Sequence, residues 1–328
     1  MYGGMSKMAL ESTKSDHPFS VPAPTKSTEP VRLLDFQKRF ATDEACEQHL
    51  FAVRWPEGFV CPRCGCPKCY RIKKRVLYQC AECRYQASAT AGTVMHRSHL
   101  PLRKWFWAIY LCATDKRGHS ATALTGELEI SYHTAWHVLH KLRNAMAERE
   151  LRYILSGVVE VDDAYFGGEQ DKDTENVRHS GRGTTKTKVA IGLATANDKP
   201  LYVKMQVLPV LTAEELSGFV LDHVDPDACV VTDSFKGYLG LSDIVSKHEM
   251  KVYAKEPAEF LKWIHTIISN AKAFIMGTYH GLDAKHLQAY LDEFCYRFNR
   301  RAKREEIFSR LLAACVDGCP LTYAELVA

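Results

Sequence analysis

The chain has 328 residues, of which 46% are apolar and 25% charged, with a formal net charge of +4. That balance belongs to a folded protein of two or three domains and excludes a collagenous or wholly disordered chain. No stretch of eighteen apolar residues is free of charge, which excludes a membrane-spanning helix, and the charge is too small to name a partner by itself.

Residues 1–30 are rich in Ser, Thr, Pro and Lys without a continuous apolar run, and are expected to form a disordered tail, neither signal peptide nor anchor. Twelve cysteines in such a chain point to thiols or metal ligands in a reducing cytoplasm rather than to disulfides. Residues 31–92 read as a helix plus a small metal ribbon. Thr42 is the expected N-cap of a helix through "TDEACEQHLFAVRW". Cys61-x2-Cys64 and Cys80-x2-Cys83, fifteen residues apart, have the spacing of a four-thiolate structural Zn²⁺ site built from two knuckles. Cys66 and Cys69 form another C-x2-C that competes for one pair, although the Pro and Gly of "CPRCG" favour Cys61 and Cys64.

Residues 93–150 read as a helical region. "LPLRKWFWAIYLCATDK" has helical spacing with core tryptophans, and "SATALTGELEISYHTAWHVLHKLRNAM" has the helix, short turn and helix of a helix-turn-helix. In that motif Tyr132, His133, Thr134 and His137 occupy the start of the second helix, the part that meets base edges. A helical hairpin with no DNA role is the alternative.

Residues 151–310 read as an α/β domain with a mixed sheet. "YILSGVVEVDDAYFGG" is a strand carrying Asp162 and Asp163 near its end. Two further strands follow, then a helix with a capping box at Thr212 and Glu215, and then the strand "DACVVTDSFKGY" ending at Asp233. Strand, strand, strand, helix, strand and helix in this order make an RNase H-like core. Asp163 alternates away from Asp162 and is expected to be structural. Between the first two strands, 167–188 is polar and Gly-rich and reads as a loop. "FLKWIHTIISNAKAFIMGTYHG" is a largely apolar helix with His265 and, seven residues on, Lys272 on nearly the same face, which spacing alone leaves open between core and chemistry. "HLQAYLDEFCYRFNRR" is an amphipathic helix whose Arg297, Arg300 and Arg301 are candidates to line a DNA channel. Residues 311–328 are left as a C-terminal tail.

"VEVDDAYFGG", "VVTDSFKGY", "SNAKAFIMGTYHG" and "HLQAYLDEFCYRFNRR", with "RWPEGFVCPRCG" ahead of them, resemble the bacterial insertion-sequence transposases of the fifteen-ninety-five family across about 34–305. The resemblance implies a DDE-type catalytic domain behind a zinc ribbon. Asp162 and Asp233 match the two aspartates of its metal-binding triad, His265 stands where many relatives have Glu, and Lys272 matches the lysine seven positions later. Asn270 is the alternative third ligand, although five residues on it faces about 140° away.

It further implies two divalent ions, Mg²⁺ or Mn²⁺, with imidazole favouring Mn²⁺. The partners implied are double-stranded DNA at element ends and targets, bound by a homodimer or higher oligomer in a bacterial cytoplasm at the nucleoid. The implied activity is metal-dependent cleavage at the terminal inverted repeats and joining of the 3′ ends to target DNA. Two rivals remain: a domesticated DNA-binding protein without catalysis, which His265 in place of Glu favours, and a plain structure-specific nuclease.

Overall fold

Two short helices open the computed structural model, which describes residues 31–72, 75–167, 186–251 and 261–327. The expected tail at 1–30 and most of the polar loop, 168–185, lie outside the described residues. Helix α1 (Leu33–Arg39) buries Phe36, and α2 (Asp43–Arg54) starts where Thr42 accepts the Ala45 N–H at 3.2 Å, the expected cap. Strands β1 (Cys69–Ile72), β2 (Leu77–Cys80) and β3 (Gln86–Ala87) form an antiparallel ribbon. The ribbon docks on α2 through Glu47, a buried acid that accepts from Arg71 at 2.7 Å and from the Tyr78 hydroxyl.

Helices α3 (Leu102–Thr114), α4 (Ala121–Leu128) and α5 (Tyr132–Glu150) complete the helical region. Ser120 and Ser131 cap α4 and α5, and Glu129 in the left-handed region (φ 50°) makes the turn between them, so the expected helix-turn-helix is formed. Trp105, Phe106 and Ile109 are buried, as core tryptophan and its neighbours should be.

The second body is a five-stranded sheet of β4 (Val158–Phe166), β5 (Thr187–Ala196), β6 (Lys199–Leu208), β7 (Cys229–Thr232) and β8 (Lys247–Met250). Its order is β6-β5-β4-β7-β8, with β4, β5 and β6 antiparallel and β4, β7 and β8 parallel, the RNase H-like arrangement. Helix α6 (Ala213–His223) covers one face through Leu216, Phe219 and Val220, which pack with Val159 and Val161. Helices α7 (Lys262–Thr278) and α8 (Leu287–Asn299) cover the other through Ile264, Ile267, Leu291 and Phe294, which pack with Ala164 and Phe166. Odd and even positions of β4 therefore face different layers.

The chain then returns to the helical body, which corrects the expected tail. Helix α9 (Ile307–Asp317) buries Phe308, Leu311, Leu312 and Cys315 in the same core as Phe36, Phe40 and Phe106. Residues 311–317 thus belong to a packed helix, because four apolar side chains on one face need a partner. Only α10 (Tyr323–Val327) beyond it has no buried residue.

An internal charge network joins the two bodies. Glu293 of α8, fully buried, accepts from Arg143 of α5 at 2.8 Å, from Arg297 at 2.8 and 2.9 Å and from the Tyr279 hydroxyl at 3.2 Å. That hydroxyl also accepts the His119 N–H at 3.1 Å beside Gly118 (φ 86°), where a Cβ would lie 2.1 Å from the phenol oxygen. Only glycine fits so close an approach.

Candidate active site

The even face of β4 carries Glu160, Asp162 and Phe166, and α7 runs along it. Asp162 is 9% exposed; its Oδ1 accepts the Asp163 N–H at 2.8 Å and its Oδ2 lies 3.2 Å from His265 Nε2. Lys272 places its ammonium 5.6 Å from the Phe166 ring centre. The match is geometric: seven residues of helix span about 10 Å and four residues of strand about 13 Å, so a helix laid along the strand meets it twice.

The parallel pairing of β4 with β7 ends at Glu160 and Val231, and Asp233 follows directly on the end of β7, near enough for its charge to act on His265. Asp233 leaves β7 in a turn closed by the Phe235 N–H to its Oδ1 at 2.9 Å, and the Thr232 hydroxyl lies 2.9 Å from His248 Nε2. Asp163 points into the opposite layer, where the Tyr238 hydroxyl lies 3.4 Å from its Oδ1. Asn270 lines a groove of about 760 Å³ beyond α7, with Phe274, Phe298 and Arg304, away from Asp162.

Charge follows the geometry. The hydrogen bond to Asp162 raises the His265 pKa against partial burial, helped by the negative charges of Asp162, Glu160 and Asp233. Burial and then Lys186 lower that of Lys272. Glu160 is the residue that sequence reasoning missed. It accepts the Ile264 N–H at 3.1 Å, and burial raises its pKa. An acid two positions before Asp162 in an otherwise apolar "VEV" was the available signal.

The four ribbon thiols converge separately. Cys61 and Cys83 Sγ are 3.6 Å apart, Cys64 and Cys80 Sγ 3.5 Å, and all four lie within 4.8 Å of one another. Tetrahedral zinc with Zn–S near 2.3 Å asks for sulfurs about 3.8 Å apart, so the set fits. Burial opposes charge on Cys80, but the backbone N–H groups of Cys83 and Glu82, together with the Cys64 and Cys83 thiols, outweigh it and bring the thiol down to about 6. Cys66 instead accepts the Lys68 N–H at 3.5 Å and stays outside the cluster, as does Cys69.

Against known families, the ISXO2-like transposase domain of the IS1595 group matches residues 154–299, and the transposase zinc-ribbon domain matches residues 41–86. The two spans together take in more than half of the chain and contain both sites just described. The chain belongs to the IS1595 family of transposases. An uncharacterized protein in transposable element ISH50 of Halobacterium salinarum is 28% identical over 223 residues, which are 61% of this chain and 70% of that protein. Among solved structures, the Mos1 mariner paired-end complex with Mn aligns at TM-score 0.27 and 12% identity over 64% of this chain and 75% of that one. The Mos1 strand transfer complex aligns at TM-score 0.26 and 12% identity over 66% and 79%.

In this transposase the residues expected to face DNA divide. Tyr132 is 58% exposed at the start of α5, whereas the Thr134 hydroxyl lies 2.9 Å from the Ser131 hydroxyl in the cap. His133 and His137 lie under Tyr323 of α10, with ring centres 4.9 and 5.0 Å away. The arginines expected along a DNA channel have partners within the protein, Arg301 while still exposed. Arg297 is held by Glu293, Arg300 is paired with Glu150 and lies 3.7 Å from the Tyr296 ring centre, and Arg301 donates to the carbonyls of Leu201, Phe298 and Pro200. These guanidiniums hold α8 and its exit to β6 and α5. Among the described residues no helix is long and apolar enough to cross a membrane.

Proposed function

We propose that this transposase cuts DNA at the ends of its own insertion sequence and joins the freed 3′ ends to target DNA. Asp162, Asp233 and His265 would hold two divalent ions. The observation that carries the reading is the meeting of Asp162 with His265 at 3.2 Å, with Asp233 at the end of the adjacent strand acting on the same imidazole. Two carboxylates and an imidazole are a donor set for Mg²⁺ or Mn²⁺, the nitrogen favouring Mn²⁺. The three side chains are not drawn within the 4.8 Å reached by the thiols. A shared Asp162 with Asp233 and His265 on either side suits two ions better than one.

Ions in that place supply activation of the attacking water or 3′-hydroxyl and stabilisation of the leaving oxygen in an in-line phosphoryl displacement. The protein's own part is orientation. The Asp163 N–H fixes one oxygen of Asp162, the Phe235 N–H fixes one of Asp233, and the lattice of β4 and β7 keeps both from rotating away. His265, whose pKa is raised by Asp162, gives up its proton before it can act as a ligand. Lys272, beyond His265 on the same side of α7, would meet a phosphate near the scissile bond.

The helix-turn-helix and ribbon would bind the terminal repeats as a homodimer or higher oligomer, with Tyr132 presented directly at the start of α5 and Thr134 engaged in its cap. His133, exposed, and His137, half-buried, would meet DNA beside the Tyr323 ring of α10. Asp162→Asn tests the assignment: it should abolish cleavage of labelled element-end DNA and spare end binding in a gel-shift assay. Retained cleavage sinks it. Joining of a pre-cut end to plasmid separates a transposase from a plain nuclease.

A further inference from the structure

Helix α7 starts without a cap of its own. Its N-cap residue, Leu261, has φ 42° and ψ 37° and offers no side-chain acceptor, so the N–H groups of the first turn need partners from elsewhere. The described partner is Glu160 on β4, whose Oε2 accepts the Ile264 N–H at 3.1 Å across 104 residues of sequence. A half-buried carboxylate facing a helix start is held by that hydrogen bond and by the positive end of the helix dipole. The placement matters because of what comes next on each element. Ile264 is followed by His265, and Glu160 is followed, one alternation along the same strand face, by Asp162. The contact at Ile264 therefore sets both the rotation and the height of α7 where the imidazole must meet the aspartate.

We propose that Glu160 is a positioning residue: it caps α7 from the neighbouring strand and so aims His265 at Asp162. This rests on the reading of His265 as a metal ligand. Glu160 itself touches backbone and needs no contact with substrate. A glutamine there keeps an oxygen that accepts the Ile264 N–H, whereas an alanine leaves it without a partner, so the pair of variants separates the hydrogen bond from the charge.

The test uses the full chain with Mn²⁺ alone as the probe. Amide hydrogen exchange across residues 261–266 is measured without metal, and Mn²⁺ affinity by electron paramagnetic resonance, for wild type, Glu160→Gln and Glu160→Ala, each with His265 or with His265→Ala. Glu160→Ala is expected to speed exchange in the first turn of α7 and to weaken Mn²⁺ binding by about 10-fold, the usual range for a residue that orients a ligand. Glu160→Gln should stay close to wild type in both, and in the His265→Ala background Glu160→Ala should weaken Mn²⁺ no further. Unchanged exchange in Glu160→Ala overturns the proposal. So does an equal loss of affinity in both backgrounds, since Glu160 would then act without His265. If His265→Ala alone leaves Mn²⁺ affinity intact, the ligand role of His265 falls and the positioning role with it, while faster exchange in Glu160→Ala still reports the cap separately.

Discussion

Arg300 has its guanidinium against Glu150 and over the Tyr296 ring, and only 10% of its side chain is exposed, so its charge is answered inside the protein. The basic run "RFNRRAKR" reads from sequence as a surface for phosphates because nothing in it shows that an acid 150 residues earlier will be waiting. Arg300→Ala should cost about 2 kcal/mol in urea unfolding, as expected for a buried charged hydrogen bond, and should leave the salt dependence of DNA binding unchanged. A shallower salt slope would return Arg300 to the DNA surface. The placement of Asp162 near the end of β4 and of Asp233 just after β7 was legible for the converse reason. Acids at the ends of apolar strands have few structural excuses, and the strand period alone tells Asp162 from Asp163. Glu160 stands in the same "VEVDD", but its partner is a backbone N–H on a helix 104 residues on, and no local pattern announces that.

At the scale of elements, the helix caps, the ribbon and the strand order follow from local rules: Thr42, Ser131 and Thr212 each accept the N–H expected of a cap. The competition among six ribbon cysteines did not, because C-x2-C spacing is met twice in "CPRCGCPKC". Convergence of four sulfurs decides it. Cys80→Ser should therefore lose the zinc and unfold the ribbon, and Cys66→Ser should keep one zinc per chain, checked by metal analysis and by circular dichroism with and without chelator. Loss of zinc in Cys66→Ser would reassign the site. Helix α9 is the element that sequence order misplaced. Its apolar face is plain in "IFSRLLAACV", but which core it joins depends on the chain turning back.

Across the whole molecule, Glu293, Arg143 and Arg297 hold the helix-turn-helix body against the catalytic body. Burial opposes the Glu293 charge, but the two guanidiniums outweigh it and hold its pKa below the ordinary glutamate value. A depressed folded pKa contributes stability that is present above the unfolded value of about 4.3 and is lost as pH falls through the folded one. Glu293→Ala should thus destabilise by about 3–5 kcal/mol at neutral pH by leaving two buried cations unmatched, and should flatten the acid limb of a stability–pH curve. An unchanged acid limb would move that pH dependence elsewhere. The same network links α5, the helix proposed to read DNA, to the body that carries the carboxylates, so its loss should also lower cleavage more than end binding.

The most direct test of the central claim is cleavage of labelled element-end DNA with Mg²⁺ or Mn²⁺ by wild type, His265→Ala and His265→Glu. Cleavage that is faster with Mn²⁺, lost in the alanine variant and restored with a shift toward Mg²⁺ in the glutamate variant is the predicted result. Full activity of His265→Ala, or cleavage without any divalent ion, would contradict it.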